Sequence, residues 1–282
     1  MATLPIDNAK KFGDFTVISS VPNSGIILVH DGTNVKAISV ENLVGPTKGS
    51  GAGVHNSIYR GKNLGSTVTS SQWAAIKSGK FDDLFIGDYW VINGVTYRIA
   101  AFDYYYNTGD TACTSHHVTL VPDVNMYTHV MNDTNITTGA YVGSKMYTEG
   151  LNQAKTTINS AFGASHILNH RQLLPNATTN DYEVGFSWYD STVELMTEHN
   201  VYGGKIFKNA LQGTSFSYNH TIDKSQYPLF AMRPDLISNR QWFWLRDVAS
   251  APFFCLVGNS GGANGNYASN SYGVRPAFSI VS

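Results

Sequence analysis

Asn93-Gly94 sits between two short alternating runs, "YWVI" and "VTYRIAAF", and this pair narrows what the chain can fold into more than any other feature. Asn-Gly supplies the two successive positive φ angles of a type I′ turn, and such a turn joins neighbouring antiparallel strands. Asp31-Gly32 repeats the signal inside "GIILVHDGTNVKAISVENL". "HHVTLVPD", "RQWFWLRDV" and "GVRPAFSIV" read as further strands. Helical patterning is scarcer. "TSSQWAAIKSGKFDDL" predicts a short helix with a Ser/Thr cap. In "TEGLNQAKTTINSAFG", Leu151, Ala154, Ile158 and Phe162 share one face and Gly163 suits the stop. "DSTVELMTEHNVYG" predicts a second main helix, opened by Asp190 or Ser191 and closed near Gly203. The expected fold class is α+β with antiparallel sheets, not a doubly wound sheet.

Length and texture divide the chain. Its 282 residues suffice for one large domain with an appendage. Residues 1–45 read as a small β segment. A lone two-stranded hairpin is marginal in water, so an anchoring or oligomerising role is expected. Residues 46–66, rich in Gly and Ser, read as a linker. The Gly-rich passage within them lacks the Gly-Lys-Ser/Thr ending of a phosphate loop. Residues 67–282 form the expected main domain.

Charged residues make up only 14% of the chain, against about 25% in ordinary soluble domains. Polarity must therefore come from Asn, Ser, Thr, Tyr and Gly. With net charge −1 and no Lys/Arg run, no nucleic-acid partner is expected. No apolar run reaches the ~20 residues of a membrane span, so no membrane insertion is expected either. The opening residues lack the basic and apolar blocks of a secretion signal.

Chemistry-bearing motifs are few. His116 and His117 are adjacent on a strand, so they point to opposite faces and do not share a metal. His166 and His170 have a helical spacing but no carboxylate or Cys beside them. Asp82, Asp83 and Asp88 flank a turn and are expected to be solvated or capping. Cys113 and Cys255 each stand alone, and buried thiols are expected. No nucleophile elbow or zinc-binding helix is present. No catalytic residue, metal or cofactor is expected.

Residues 251–272 break this texture. They hold no charged residue, four Gly, four Asn, and the aromatics Phe253, Phe254, Tyr267 and Tyr272. Their lack of periodicity predicts irregular chain, and long irregular stretches in ordered domains are commonly functional. Tyr, Ser, Gly and Asn are the residues of antibody paratopes. Trp242, Trp244, Leu245, Val274 and Phe278 on either side read as core. Arg246 and Arg275 lie in apolar surroundings, and Arg275 is expected to clamp the fold through a buried carboxylate or carbonyls.

The frames "WFWLRDVAS" and "GVRPAF", with the Asn/Gly/Ser/Tyr-rich middle, resemble the variable region of diversity-generating retroelement target proteins. More loosely, "GDYWVINGVTYRIAAFDYYYNTGDTACTSHH" and "ITTGAYVGSKMY" resemble the body of such proteins in gut bacteria and their phages. The resemblance implies a C-type lectin-like fold and a ligand-binding surface rewritten at template adenines, chiefly in Asn codons. Codons so rewritten never encode Lys, Glu, Gln, Met or Trp, and residues 251–272 contain none of the five. The display positions it implies are Phe253, Leu256, Gly258, Asn259, Ser260, Gly262, Asn264, Gly265, Asn266, Tyr267, Asn270 and Tyr272. The implied framework is Trp242, Trp244, Leu245, Arg246, Gly273, Val274, Arg275, Pro276 and Phe278, with Cys255 and Ala268 facing inward. The calcium-ligating tripeptides of sugar-binding lectins are missing. The resulting expectation is a phage structural receptor-binding protein. It would be a homotrimer on the virion, held to other virion proteins by residues 1–45. It would bind a host-cell surface protein or glycan. The alternatives are a bacterial surface or secreted lectin-like protein of the same family, or an enzyme using Cys113 or the His166/His170 pair.

Overall fold

A computed structural model of the chain describes residues 50–179, 183–206 and 225–282 in full, and the backbone of 26–30, 35–39 and 182. The chain divides into two units, residues 1–49 and 50–282. In the first, β1 (Ile26–His30) pairs antiparallel with β2 (Val35–Ser39), Ile26 opposite Ser39. The Asp31-Gly32 turn between them lies outside the described residues.

The second unit begins earlier than the expected linker allows. Residues 50–66 belong to it, with a four-residue helix α1 (Ala52–His55). Asp88 is the cause. Its fully buried carboxylate accepts from the Lys62 amide at 2.8 Å, from the Phe85 amide at 2.8 Å and from Arg60 Nη2 at 2.7 Å. A buried carboxylate is tolerable only with such donors, and they draw the Gly-rich strand of chain onto the domain. Arg60 also pairs with Asp83.

α2 (Ser70–Lys77) starts at Thr69, whose hydroxyl accepts from the Gln72 amide while the Gln72 side chain answers to the Thr69 amide. β3 (Tyr89–Ile92) and β4 (Val95–Phe102) flank Asn93 (φ 50°) and Gly94 (φ 78°), the turn that the dipeptide predicts. They continue into a five-stranded sheet in the order β3-β4-β5-β14-β9, with β5 at Val118–Pro122, β9 at Val193–Leu195 and β14 at Pro276–Ile280. α3 (Asn152–Phe162) buries Ala154, Ile158 and Phe162 and ends at Gly163 (φ 86°). It follows a π-helical turn at Met146–Gly150. β7 (His170–Thr179) and β8 (Tyr182–Ser191) form a separate long hairpin.

The second helix expected from Asp190 is mostly strand. Residues 193–195 add β9 to the edge of β14, with Ala277 opposite Glu194. β-branched Thr192 and Val193 suit a ladder, and helix α4 shrinks to Glu198–Tyr202 behind a Thr197 cap. A further short helix, α5, spans Pro228–Met232.

The second five-stranded sheet has the order β12-β11-β10-β13-β6. Its strands are β6 (Tyr127–Val130), β10 (Phe243–Ser250), β11 (Phe253–Val257), β12 (Ala263–Tyr267) and β13 (Ser271–Val274). β10–β11 is buried on both faces. Phe243, Leu245, Cys255 and Val257 enter the main core with side chains of the first sheet and α3. Trp244, Val248, Phe254 and Leu256 enter a second core with Met131, Tyr141 and Met146. The architecture is thus α+β and mostly antiparallel. No helix among the described residues is long and apolar enough to cross a membrane.

Arg275 is the single residue between β13 and β14, where the chain passes from one sheet to the other. It is 2% exposed. Its guanidinium donates to the carbonyls of Pro122 (2.8 Å), Ile237 (2.9 Å) and Leu236 (3.2 Å), and lies near the rings of Phe230 and Phe243. Carbonyls, not a carboxylate, receive the charge. Burial, the largest influence, pushes its pKa down to about 10. Arg275→Leu leaves three carbonyls without these donors, at about 1–3 kcal/mol for each buried group. Urea unfolding should show a loss of about 3 kcal/mol or more with an unchanged m-value.

Candidate functional site

Residues 251–272 are not irregular. They supply β11, β12 and the start of β13. The antiparallel register runs from Phe253 opposite Tyr267 to Val257 opposite Ala263. No bulky apolar residue marks β12 before Tyr267, because an edge strand of Asn and Gly buries little and is held by its backbone ladder. The hairpin turn is tight: the Gly258 amide donates to Gly262 O at 2.8 Å, and the Gly261 amide donates to Gly258 O at 2.8 Å.

The expected display positions separate by environment. Asn259, Ser260 and Gly262 are exposed at the turn, and Tyr267 is 45% exposed at the far end of β12. Phe253, Asn264, Gly265, Asn266, Asn270 and Tyr272 are half-buried. Two positions are corrected. Leu256 is fully buried opposite Trp244, in the second core, and displays nothing. Gly258 is buried at the mouth of the turn. Cys255 and Ala268 are fully buried, facing inward.

Two small surfaces result. On one face of the hairpin, the Phe253 and Tyr267 rings meet edge to face at 4.6 Å. On the other, Tyr272 stacks on Trp242 at 5.7 Å and meets Trp244 edge-on at 5.1 Å. Asn266 Nδ2 donates to the Tyr272 hydroxyl at 2.8 Å, and Asn270 Nδ2 donates to Asn266 Oδ1 at 2.9 Å. Half-buried rings beside amides offer apolar contact and adaptable hydrogen bonds together.

The frames hold this hairpin rigid. Trp244 Nε1 donates to His129 O at 2.9 Å. Gly273 is buried, and a Cβ there would come within 1.9 Å of Asn125 Nδ2 and 2.7 Å of Trp242 O, so only glycine fits. Leu245, Val274, Pro276 and Phe278 are buried. Residues that motif reading missed pin the turns from outside. Tyr202 donates to Gly261 O at 3.0 Å, and Ser238 Oγ donates to Asn259 O at 2.8 Å. Asn135 Oδ1 accepts from the Ser269 amide (3.2 Å) and hydroxyl (2.8 Å). Nothing local marks Asn135, Ser238 or Tyr202, because each acts on chain 21 to 134 residues away.

Arg246 belongs to the interior. At 4% exposure, its Nη1 donates to Gln172 Oε1 at 2.6 Å. That orients the Gln172 amide so that Nε2 donates to His170 Nε2 at 2.8 Å, leaving the His170 proton on Nδ1. Burial, then the neighbouring His117, pushes His170 down to about 3 from 6.5. His117 moves down as well, chiefly by burial. His116 instead pairs with Asp103 at 2.8 Å.

Of the residues weighed for catalysis, Cys113 and His170 line one shallow cavity with Arg171 and Asp190. Burial pushes the Cys113 thiol up, and its sulfur donates to Ser115 O at 3.8 Å. His166 is engaged elsewhere, stacked on Trp73 at 4.1 Å and bonded to Val281 O at 2.9 Å. Neither cysteine is bridged, and no group of three His, Cys, Asp or Glu among the described residues is placed to hold a metal.

Residues 181–282 match a protein family described as a domain of unknown function (DUF6273). The match takes in the hairpin and both of its frames. No curated protein and no solved structure matches the chain.

Two outcomes follow from the site's geometry. Leu256→Asp should cost more than about 4 kcal/mol in urea unfolding, as a buried unpaired charge, while Ser260→Asp stays within about 0.5 kcal/mol. A base whose folded pKa is depressed keeps full stability above its unfolded value and loses it as pH falls toward the folded one. Stability should therefore decline between pH 6.5 and about 3, the window of His170. Its own share approaches about 1.4 kcal/mol per pH unit. His170→Gln should flatten the slope by about one proton, leaving the part due to His117.

Proposed function

We propose that this chain is a variable protein of a diversity-generating retroelement, with a C-type lectin-like domain that binds ligand through the β11–β12–β13 surface. The observation that carries the reading is the conjunction at residues 251–272. Every residue type there is reachable from an adenine-rewritten Asn codon, and four Asn remain. The same residues form one hairpin and strand, in which ten of the twelve expected display positions reach the surface at least in part. Rigid frames on both sides separate that variation from the core. The role assigned is that of a phage structural receptor-binding protein. It is carried on the virion as a homotrimer, with residues 1–45 as the attachment segment and a host-cell surface protein or glycan as ligand. Three weak sites on one trimer would reinforce each other on a cell surface.

Sequencing the gene's 3′ end and its downstream DNA tests this reading. The expected result is a near-identical repeat whose mismatches fall at template adenines, beside a reverse transcriptase gene. Absence of the repeat, with no adenine-linked variation among sister copies, removes diversification as the explanation. On the protein, Tyr267→Ala and Tyr272→Ala should each weaken cell-surface binding about tenfold or more, as loss of an aromatic anchor does. The fold should be retained, as checked by circular dichroism.

A further inference from the structure

β12 is an edge strand, and among the described residues nothing pairs with its outer side. Edges left open recruit other strands, and proteins blunt them with Lys, Pro, bulges or covering segments. "ANGNY" has no charge and no Pro, and its register with β11 is unbroken. Its protection takes another form.

The ladder fixes which amides face outward. The Gly258 amide donates to Gly262 O, and the Ala268 amide donates to Pro252 O. In an antiparallel pair, hydrogen-bonded and non-hydrogen-bonded positions alternate. Positions 262, 264, 266 and 268 therefore turn their backbone groups toward β11, and Ala263, Gly265 and Tyr267 turn theirs away. Two of those three outward amides already have acceptors. Gly265 N–H donates to Asn264 Oδ1 at 2.7 Å, and Tyr267 N–H donates to Asn266 Oδ1 at 2.8 Å. The outward carbonyl of Tyr267 is also engaged, by the Asn270 amide at 3.0 Å. Each Asn thus sits one residue before an outward donor and folds its side chain over the strand edge. Short amide side chains do this readily, competing with ladder bonds for nearby backbone.

We propose that Asn264 and Asn266 seal the edge of β12 against strand addition, so that the surface offers a partner side chains rather than backbone. The occupant kept out is a second copy of this chain. Two β12 edges would pair antiparallel about Gly265, each needing the outward Gly265 and Tyr267 donors, which lie about 6.8 Å apart along the strand. The proposal rests on backbone geometry and stands whether or not the surface is diversified.

Residue-resolved amide hydrogen exchange on the full chain tests it. In the native chain, the Gly265 and Tyr267 amides should be protected despite facing outward. Asn264→Ala should speed exchange at Gly265 about tenfold, the worth of one hydrogen bond, and leave Tyr267 unchanged. Asn266→Ala should do the reverse. The Phe254 and Leu256 amides serve as the check that β11 remains folded. Asn264→Asp keeps the acceptor and should keep the protection at Gly265. In sedimentation velocity, the Asn264→Ala/Asn266→Ala chain should show concentration-dependent association beyond that of the native chain. Unprotected Gly265 and Tyr267 amides in the native chain would overturn the proposal, as would a double variant that sediments like the native chain.

Discussion

The buried guanidinium of Arg275 is the interaction on which the rest depends. The chain leaves one five-stranded sheet at Val274 and enters the other at Pro276, and Arg275 alone spans the change. Its donors reach Pro122 at the end of β5 and the Leu236–Ile237 turn. It therefore sets where both sheets end relative to each other. Arginine suits the task because its planar fork serves several carbonyls at once and stays charged at any ordinary pH. Arg98, next to the same corner, takes the nearby carboxylate of Asp123. That leaves Arg275 to the carbonyls.

From that corner, the β11–β12 hairpin inherits its stiffness. β11 is buried on both faces, so the strand beside the turn and β12 is itself part of two cores. Exposed and half-buried side chains lie outside these cores: at Phe253, on the turn, on β12 and at the start of β13. Tyr202, Ser238 and Asn135 hold the backbone there by bonds to main chain or to Ser269, and so tie down the scaffold rather than the exposed side chains of the turn and β12. A surface ordered beforehand loses little entropy on binding.

Much of this was legible in the sequence, and the failures share one cause. Asn93-Gly94, the Thr69 cap and the Gly163 stop are local signals, and each led to the right element. Arg275 was legible because a charge inside "GVRPAF" has few places to go. The misreadings all concern segments whose partners are distant. Residues 50–66 look like linker until Asp88 supplies donors' partners from 26 residues away. Residues 190–195 carry helical spacing, but β14 offers them a ladder. Residues 263–267 carry too little apolar bulk to announce a strand, because the edge needs little. Leu256 looked displayable because its cover, Trp244 and the 131–146 segment, is not visible from its neighbours. The C-type lectin-like fold and the ligand itself stay with the resemblance, since side-chain geometry at this surface describes how contact is made rather than with what.

The placing of β10 and β14 also governs how the chain can be made. β10 is the middle strand of one sheet, and β14 stands between β5 and β9 in the other. Phe278 lies opposite Leu120, and Ser279 opposite Thr119. Until residues 243–280 leave the ribosome, β3-β4-β5 waits with an open flank and β6 has no neighbour. Contacts of such long sequence separation make folding slow, on the order of milliseconds to seconds, and expose half-built sheets meanwhile. Folding of residues 50–282 thus waits on residues 243–280, and the half-built sheets are the form that a chaperone would meet before then.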